Sequence, residues 1–260
     1  MNRKLRRAEE KLGRDRPAAA LSPTAMPLFA HAVACHQASR LAEAESHYRQ
    51  VLAIDPQHAE SHHYLGLLAL QVGRADIAAA MIAQAIALLG SEPRFHDSLG
   101  NALKSQGRLD EAVASHRRAL GLRPDFFEAH VNLGNVFKEQ GKRDEAVQSD
   151  RRAAALRPDS AIAHNNLGGA LKDQGRPREA EASCRRALAL DANYPEAHCN
   201  LGVALTDQGR LDEAVVSLRR ALDIRPDYVN ASYNLGNILW RRGDLAEAIL
   251  CYERDRKSVV

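Results

Sequence analysis

Small and apolar side chains return along this chain at a fixed interval of 34 residues, and inside each interval apolar positions fall three and four apart. The pair Leu-Gly stands at Leu65-Gly66, Leu99-Gly100, Leu133-Gly134, Leu167-Gly168, Leu201-Gly202 and Leu235-Gly236. A second glycine follows at Gly73, Gly107, Gly141, Gly175, Gly209 and Gly243. Alanine recurs at Ala44, Ala78, Ala112, Ala146, Ala180, Ala214 and Ala248, and again at Ala85, Ala119, Ala153, Ala187 and Ala221. Pro56, Pro124, Pro158 and Pro226 close four of the intervals. Spacing by threes and fours is that of an amphipathic helix, and a fixed period of this length is the mark of stacked repeats. In the interval that holds Leu133-Gly134, the pattern predicts one helix from Ala129 to about Gln140 and a second from about Asp144 to Leu156. Gly141 separates them, because glycine readily takes the positive φ that ends a helix, and the proline stops the second helix. The small columns let two helices approach to about 8–10 Å between axes. No β segment is evident.

In this register the sequence resembles the tetratricopeptide repeat (TPR) family, whose pattern places Leu-Gly, Ala, a bulky residue, Ala and Pro at these spacings. The resemblance runs from Ala25 to the C-terminus. It implies an all-α fold, a right-handed α-solenoid of stacked helix-turn-helix TPR units, with first helices lining a concave groove and second helices on the convex side. With Leu-Gly at positions 7 and 8, the units begin at Ala25, Ala59, Pro93, Phe127, Ala161, Pro195 and Val229. The expected organisation is a basic leader at 1–24, a solenoid at 25–254 and a tail at 255–260. The first unit departs from the pattern, with His31-Ala32 for Leu-Gly and Ser39 for the turn glycine, and the second has Gly90 for proline. The bulky position 24 reads Tyr48, Ile82, His116, Asp150, Cys184, Leu218 and Tyr252; His116 and Asp150 predict loose packing there.

Composition narrows the function classes. Of 260 residues 45% are hydrophobic, 27% charged and 5% aromatic, and average glycine and proline usage excludes collagen-like and low-complexity readings. No run approaches the roughly 18 apolar residues of a membrane span, so no integral membrane segment is expected. Cys35, Cys184, Cys199 and Cys251 form no C-x-x-C pair and no disulfide-framework spacing, which points to a reducing, cytoplasmic setting. The formal charge of +3 belongs to the leader, since Met1 to Arg16 holds seven basic and three acidic residues. The remainder is close to neutral, which argues against nucleic acid as a partner. Pro17, Pro23 and Pro27 interrupt the leader and argue against a secretory signal.

The candidate chemistry is recognition. Position 6 carries Asn132, Asn166, Asn200 and Asn234, and position 9 adds Asn101, Asn135 and Asn237. A side-chain amide donates and accepts at once, so a ladder of them can hold the backbone of an extended peptide; the alternative is a solvated consensus form of the first helix. The segments HVNLGNVFKEQGK and SYNLGNILWRRGD look most like the TPR arm of protein O-linked N-acetylglucosamine transferases, and that resemblance puts the family's asparagine ladder on Asn132, Asn166, Asn200 and Asn234. Position 4 carries His62, His96, His130, His164 and His198, which lie too far apart to share an ion and are expected to pack between repeats. The tighter cluster of His58, His62 and His63 has no carboxylate or cysteine partner in the pattern. Paired arginines at Arg117-Arg118, Arg151-Arg152, Arg185-Arg186 and Arg219-Arg220 read as a solvated face balanced by acidic residues, or as a stripe for an acidic partner.

No hydrolase, kinase, P-loop or zinc-protease motif occurs, so no catalytic residue, metal ligand or cofactor is expected. At the end, Asp255 replaces the alanine column and the chain stops at Val260. The hexapeptide Asp-Arg-Lys-Ser-Val-Val matches what a common sequencing adapter encodes, so residues 255–260 are expected to be non-native and the gene to continue. The expected function is a non-catalytic scaffold binding a protein or peptide segment in its groove. The alternative is the truncated substrate-recruiting arm of an O-linked N-acetylglucosamine transferase-like glycosyltransferase.

Overall fold

The computed structural model describes residues 24–257, with side chains through Glu253. The expected leader, apart from Thr24, and the side chains of the expected tail lie outside the described residues. Among the described residues there are fourteen helices and no strand. The first helices of the repeats are α1 Ala25–Gln37, α3 Ala59–Gln71, α5 Pro93–Ser105, α7 Phe127–Glu139, α9 Ala161–Asp173, α11 Pro195–Asp207 and α13 Val229–Arg242. The second helices are α2 Leu41–Ile54, α4 Ala75–Leu88, α6 Leu109–Leu122, α8 Arg143–Leu156, α10 Pro177–Leu190, α12 Leu211–Ile224 and α14 Leu245–Lys257. The chain divides into two compact units, residues 1–129 and 130–260, and each is a helical repeat solenoid of alternating first and second helices.

Local chemistry sets each helix pair. At the end of α5, Gly107 takes φ +73°, its N–H bonds the Lys104 carbonyl at 2.8 Å, and the Arg108 N–H reaches back to the Leu103 carbonyl at 3.0 Å. This is the glycine-ended cap that satisfies the last carbonyls of a helix and turns the chain. In the first repeat Ser39 takes the same place at φ +58°, with the Arg40 N–H on the Cys35 carbonyl at 2.9 Å. Four of the basic residues just before a second helix then clasp the glutamate one turn in: Arg40 to Glu43, Arg108 to Glu111, Arg176 to Glu179 and Arg210 to Glu213. The glutamates also sit where the helix N-terminus favours negative charge.

Packing within a repeat turns on the glycine of Leu-Gly. A Cβ built on Gly202 would stand 2.6 Å from Leu218 Cγ, and one on Gly66 2.5 Å from Ile82 Cγ1. The same clash would set Gly100 against His116, Gly134 against Asp150, Gly168 against Cys184 and Gly236 against Tyr252. The side chain at position 24 therefore lies directly on the backbone of the first helix, in the space a Cβ would take. Both alanine columns, Ala44 to Ala248 and Ala85 to Ala221, are completely buried around this contact. Each repeat contributes a thin core, and neighbouring cores fuse: the largest cluster runs from Cys184 through Leu201, Leu205 and Leu218 to Leu239 and Cys251.

Loose packing at His116 and Asp150 is not what the structure shows. Both side chains are fully buried on their glycines. His116 Nδ1 lies 2.8 Å from Asp97 Oδ1, and this bond anchors the imidazole between α5 and α6. Asp150 is less well served: its nearest cation is Lys138 Nζ, 3.7 Å from Oδ2, and its oxygens have no hydrogen-bond partner. Burial pushes its carboxyl up to about 6 against the opposing pull of Lys138. The position demands a side chain of the right volume on the glycine, and it accepts a polar one at an energetic cost.

Two predictions follow from these contacts. Gly202→Ala should destabilise the chain by about 1–3 kcal/mol, the usual cost of overpacking, read as a lower urea midpoint. Adding Leu218→Ala should cost less than the sum of the two single changes, because the clash is gone. For Asp150, the folded carboxyl holds its proton to higher pH than the unfolded one. The stability this confers is complete below about pH 4 and lost as pH rises through about 6. Asp150→Leu, the residue its counterpart Leu218 supplies, should therefore raise stability at pH 7 by up to about 3 kcal/mol and flatten the wild-type decline between pH 4 and pH 7 in denaturation measured across pH.

Candidate peptide-binding face

First helices of successive repeats touch, α3 with α5 in the first unit and α9 with α11 and α11 with α13 in the second, while among the described residues successive second helices make no comparable contact. First helices thus form an inner layer in each unit. Positions 6 and 9 lie on it, and Asn132, Asn166, Asn200, Asn234, Asn135 and Asn237 in the second unit and Asn101 in the first are all half-buried. The polar column reaches solvent without being free in it.

The amides differ in what they already hold. Asn200 Nδ2 donates to Asn165 Oδ1 at 2.9 Å, and Asn165 in turn donates to the Tyr194 hydroxyl at 3.3 Å. Asn234 Nδ2 donates to Cys199 Sγ at 3.9 Å. In the first unit His63 Nε2 and Ser98 Oγ stand 2.9 Å apart in the same relation. In each case position 5 of one repeat meets position 6 of the next, so the column ties repeat to repeat and fixes the amide planes. Asn237 Oδ1 accepts from the Tyr252 hydroxyl at 2.9 Å. Asn166, Asn101 and Asn135 have no side-chain hydrogen bond among the described residues, while Asn132 has a partner. The signal that sequence reading passed over is the offset of 35 between polar side chains at positions 5 and 6.

The histidine column joins neighbouring repeats through a backbone hydrogen bond as well as by its bulk. His62, His96, His164 and His198 each donate Nε2–H to the backbone carbonyl six residues earlier, on Pro56, Gly90, Pro158 and Ala192, at 2.9–3.1 Å. The bond fastens the start of a first helix to the loop that feeds it, whether proline, glycine or alanine supplies the carbonyl. The cluster of His58, His62 and His63 does not converge. His58 caps α3 by accepting from the Ser61 N–H, His62 faces its loop, and His63 is buried against Phe95 with its pKa lowered to about 4 by burial.

In three of the pairs the first arginine reaches a glutamate of the following repeat, Arg185 doing so beside a closer pair with Glu181 on its own helix at 2.9 Å. Arg151 bonds Glu179 at 2.9 Å, Arg185 approaches Glu213 at 3.7 Å and Arg219 bonds Glu247 at 2.7 Å. The pattern favours a balanced face over an open cationic stripe. Among possible nucleophiles, burial pushes the Cys184 thiol up to about 12 and raises that of Cys199, so neither offers a thiolate at neutral pH. No helix among the described residues is long and apolar enough to cross a membrane.

Comparison with known proteins agrees with this architecture. The family model described as TPR repeat matches residues 100–141, 134–175 and 204–243, and two described as tetratricopeptide repeat match 171–216 and 231–257. No curated protein matches the chain. Among solved structures, MamA is 24% identical with a TM-score of 0.54, over 61% of this chain and 93% of that one. YrrB, described as a TPR protein with an unusual peptide-binding site, is 24% identical with a TM-score of 0.54, over 67% of this chain and 90% of that one. A tetratricopeptide repeat protein from Parabacteroides merdae is 13% identical with a TM-score of 0.72, over 91% of this chain and 93% of that one. At these identities the likeness is one of fold.

Proposed function

Because the chain is a tetratricopeptide-repeat protein, we propose that it is a non-catalytic scaffold whose first-helix face in the second unit holds an extended peptide or partner segment. One observation carries the reading: four amides at one register position, 34 residues apart, lie half-buried on the layer that first helices share. Asn200 and Asn234 are held by neighbours through one N–H, which leaves an oxygen and a second N–H aimed by a fixed plane. Asn166 is unengaged. Such groups bond a peptide backbone with little regard to its side chains. The description of YrrB as having a peptide-binding site supports the same use of the fold. Free, buried cysteines at Cys35, Cys184, Cys199 and Cys251 fit a reducing, cytoplasmic setting. The alternative, a substrate-recruiting arm of an O-linked N-acetylglucosamine transferase-like enzyme, rests on the two segments that look like that arm and on nothing in the site.

The test is selection of binders from a displayed random-peptide library on the full chain, followed by affinity measurement. Changing Asn132, Asn166, Asn200 and Asn234 together to Ala should weaken the selected peptide by at least about thirtyfold, since each net hydrogen bond contributes about 0.5–1.5 kcal/mol. Far-UV circular dichroism should stay helical. Asn166→Ala alone removes no side-chain hydrogen bond among the described residues and should weaken binding severalfold with little change in melting temperature. Equal affinity in the quadruple variant would refute the ladder.

A further inference from the structure

Three of the first repeat's departures from the pattern meet in space. Position 7 is His31, where the six later repeats have leucine. Position 11 is Cys35, where they have alanine, phenylalanine or leucine, as at Ala69 and Leu205. Position 23 is His47, where four of them have serine, as at Ser149 and Ser217. His31 and Cys35 stand one turn apart on α1, and His47 comes from α2. One ligand atom from each lies within 4.8 Å of the others. The two imidazoles are edge to face, 4.6 Å between centroids at 88°. Cys35 is fully buried, and His47 Nδ1 is buried with no hydrogen-bond partner. Glu43 adds a carboxylate 3.9 Å from the Cys35 sulfur, held toward it by Arg40 at 2.9 Å.

We propose that His31, Cys35 and His47 bind a divalent transition-metal ion of the zinc class, with Glu43 or water as the fourth ligand. The donor set decides the class. Two imidazoles and a thiolate suit a borderline-soft ion, whereas magnesium and calcium require oxygen ligands. Tetrahedral zinc, with Zn–N of about 2.0–2.1 Å and Zn–S of about 2.3 Å, sets ligand atoms roughly 3.4–3.7 Å apart. The observed spread is about 1 Å wider at most, and rotation of the solvent-exposed His31 side chain closes it. On binding, the Cys35 thiol gives its proton to solvent and coordinates as thiolate.

The site has a structural use. In the sixth repeat the equivalents of His31 and Cys35 are Leu201 and Leu205, which share an apolar cluster with Cys184 of the repeat before. A metal clasp from α1 to α2 would do there what apolar packing does in that repeat, and its binding free energy would add to folding.

The full chain, kept reduced and stripped with chelator, is titrated with ZnCl2 by calorimetry and with CoCl2 by visible absorption. One zinc per chain and a cobalt spectrum with thiolate charge transfer and tetrahedral d–d bands are expected. His31→Leu, His47→Ser and Cys35→Ala install residues that other repeats carry. Each should weaken zinc by at least the roughly 10–100-fold that loss of even an outer-shell partner costs, with unchanged circular dichroism in metal-free buffer. Zinc should raise the melting temperature of the wild type and not of the variants. Absence of binding, a cobalt spectrum without thiolate charge transfer, or zinc binding that survives in the His31→Leu/His47→Ser double variant would overturn the proposal. The spectrum of the unaltered chain decides the matter even where a variant fails to fold.

Discussion

Everything in each repeat depends on the second helix resting one side chain on the bare backbone of the first. The glycine of Leu-Gly leaves a space without a Cβ, and the residue at position 24 fills it. That contact fixes how near the two helices come, which in turn requires the fully buried alanines on either side of it. Leucine, isoleucine, cysteine, histidine and aspartate all take this seat, at Leu218, Ile82, Cys184, His116 and Asp150. The constraint is therefore one of shape first and polarity second. His116 meets the polarity requirement at Nδ1, through Asp97, and leaves Nε2 buried without a partner, whereas Asp150 has only the more distant Lys138. In the first repeat Ala32 takes the glycine's place and shares a cluster with Tyr48, both fully buried, so one methyl is accommodated there.

Because each core is thin, polar ties carry much of the registry between repeats. Position 5 meets position 6 of the next repeat, the arginine at position 25 meets the next repeat's glutamate, and the glutamine that ends a first helix reaches the second helix of the repeat before. Exposed ion pairs of this kind each contribute little. Their value lies in repetition at fixed offsets, which penalises any slip of one repeat against another more than it stabilises the correct match. A nearest-neighbour solenoid gains specificity this way without a large apolar core.

The fold was legible because its columns repeat. Gly107, Ala112, Ala119 and Pro124 each stand in a column that most repeats share, and tight helix crossings, turns and stops have few other chemical solutions. The interactions that escaped a reading by columns are those that join two different columns. The histidine at position 4 bonds a carbonyl six residues back, which depends on the path of the loop. Asn200 and Asn165 are 35 residues apart, one off the period, and so fall in columns read separately. His31, Cys35 and His47 escaped for the opposite reason: they are departures from columns, and only the crossing of α1 and α2 brings them together. For the candidate face, position and exposure of the asparagines follow from the register, but which amides already hold a partner does not.

The spacing of the face constrains what it can hold on the proposed reading. First helices of neighbouring repeats stand about 8–10 Å apart, as packed helices do. A peptide in strand conformation advances about 3.3 Å per residue and turns successive groups to opposite sides, so an amide met every third residue would find the backbone facing alternately toward it and away. A polyproline II segment advances about 3.1 Å per residue with three residues per turn, which returns the same backbone edge every 9 Å or so. Its carbonyls and N–H groups have no internal partners and remain available to Asn166 and to the free edges of Asn200 and Asn234. A ladder whose rungs are set by helix packing thus matches a three-residue period better than a two-residue one. On the proposed reading, an extended segment of low side-chain demand and polyproline II habit fits these rungs better than an added strand does.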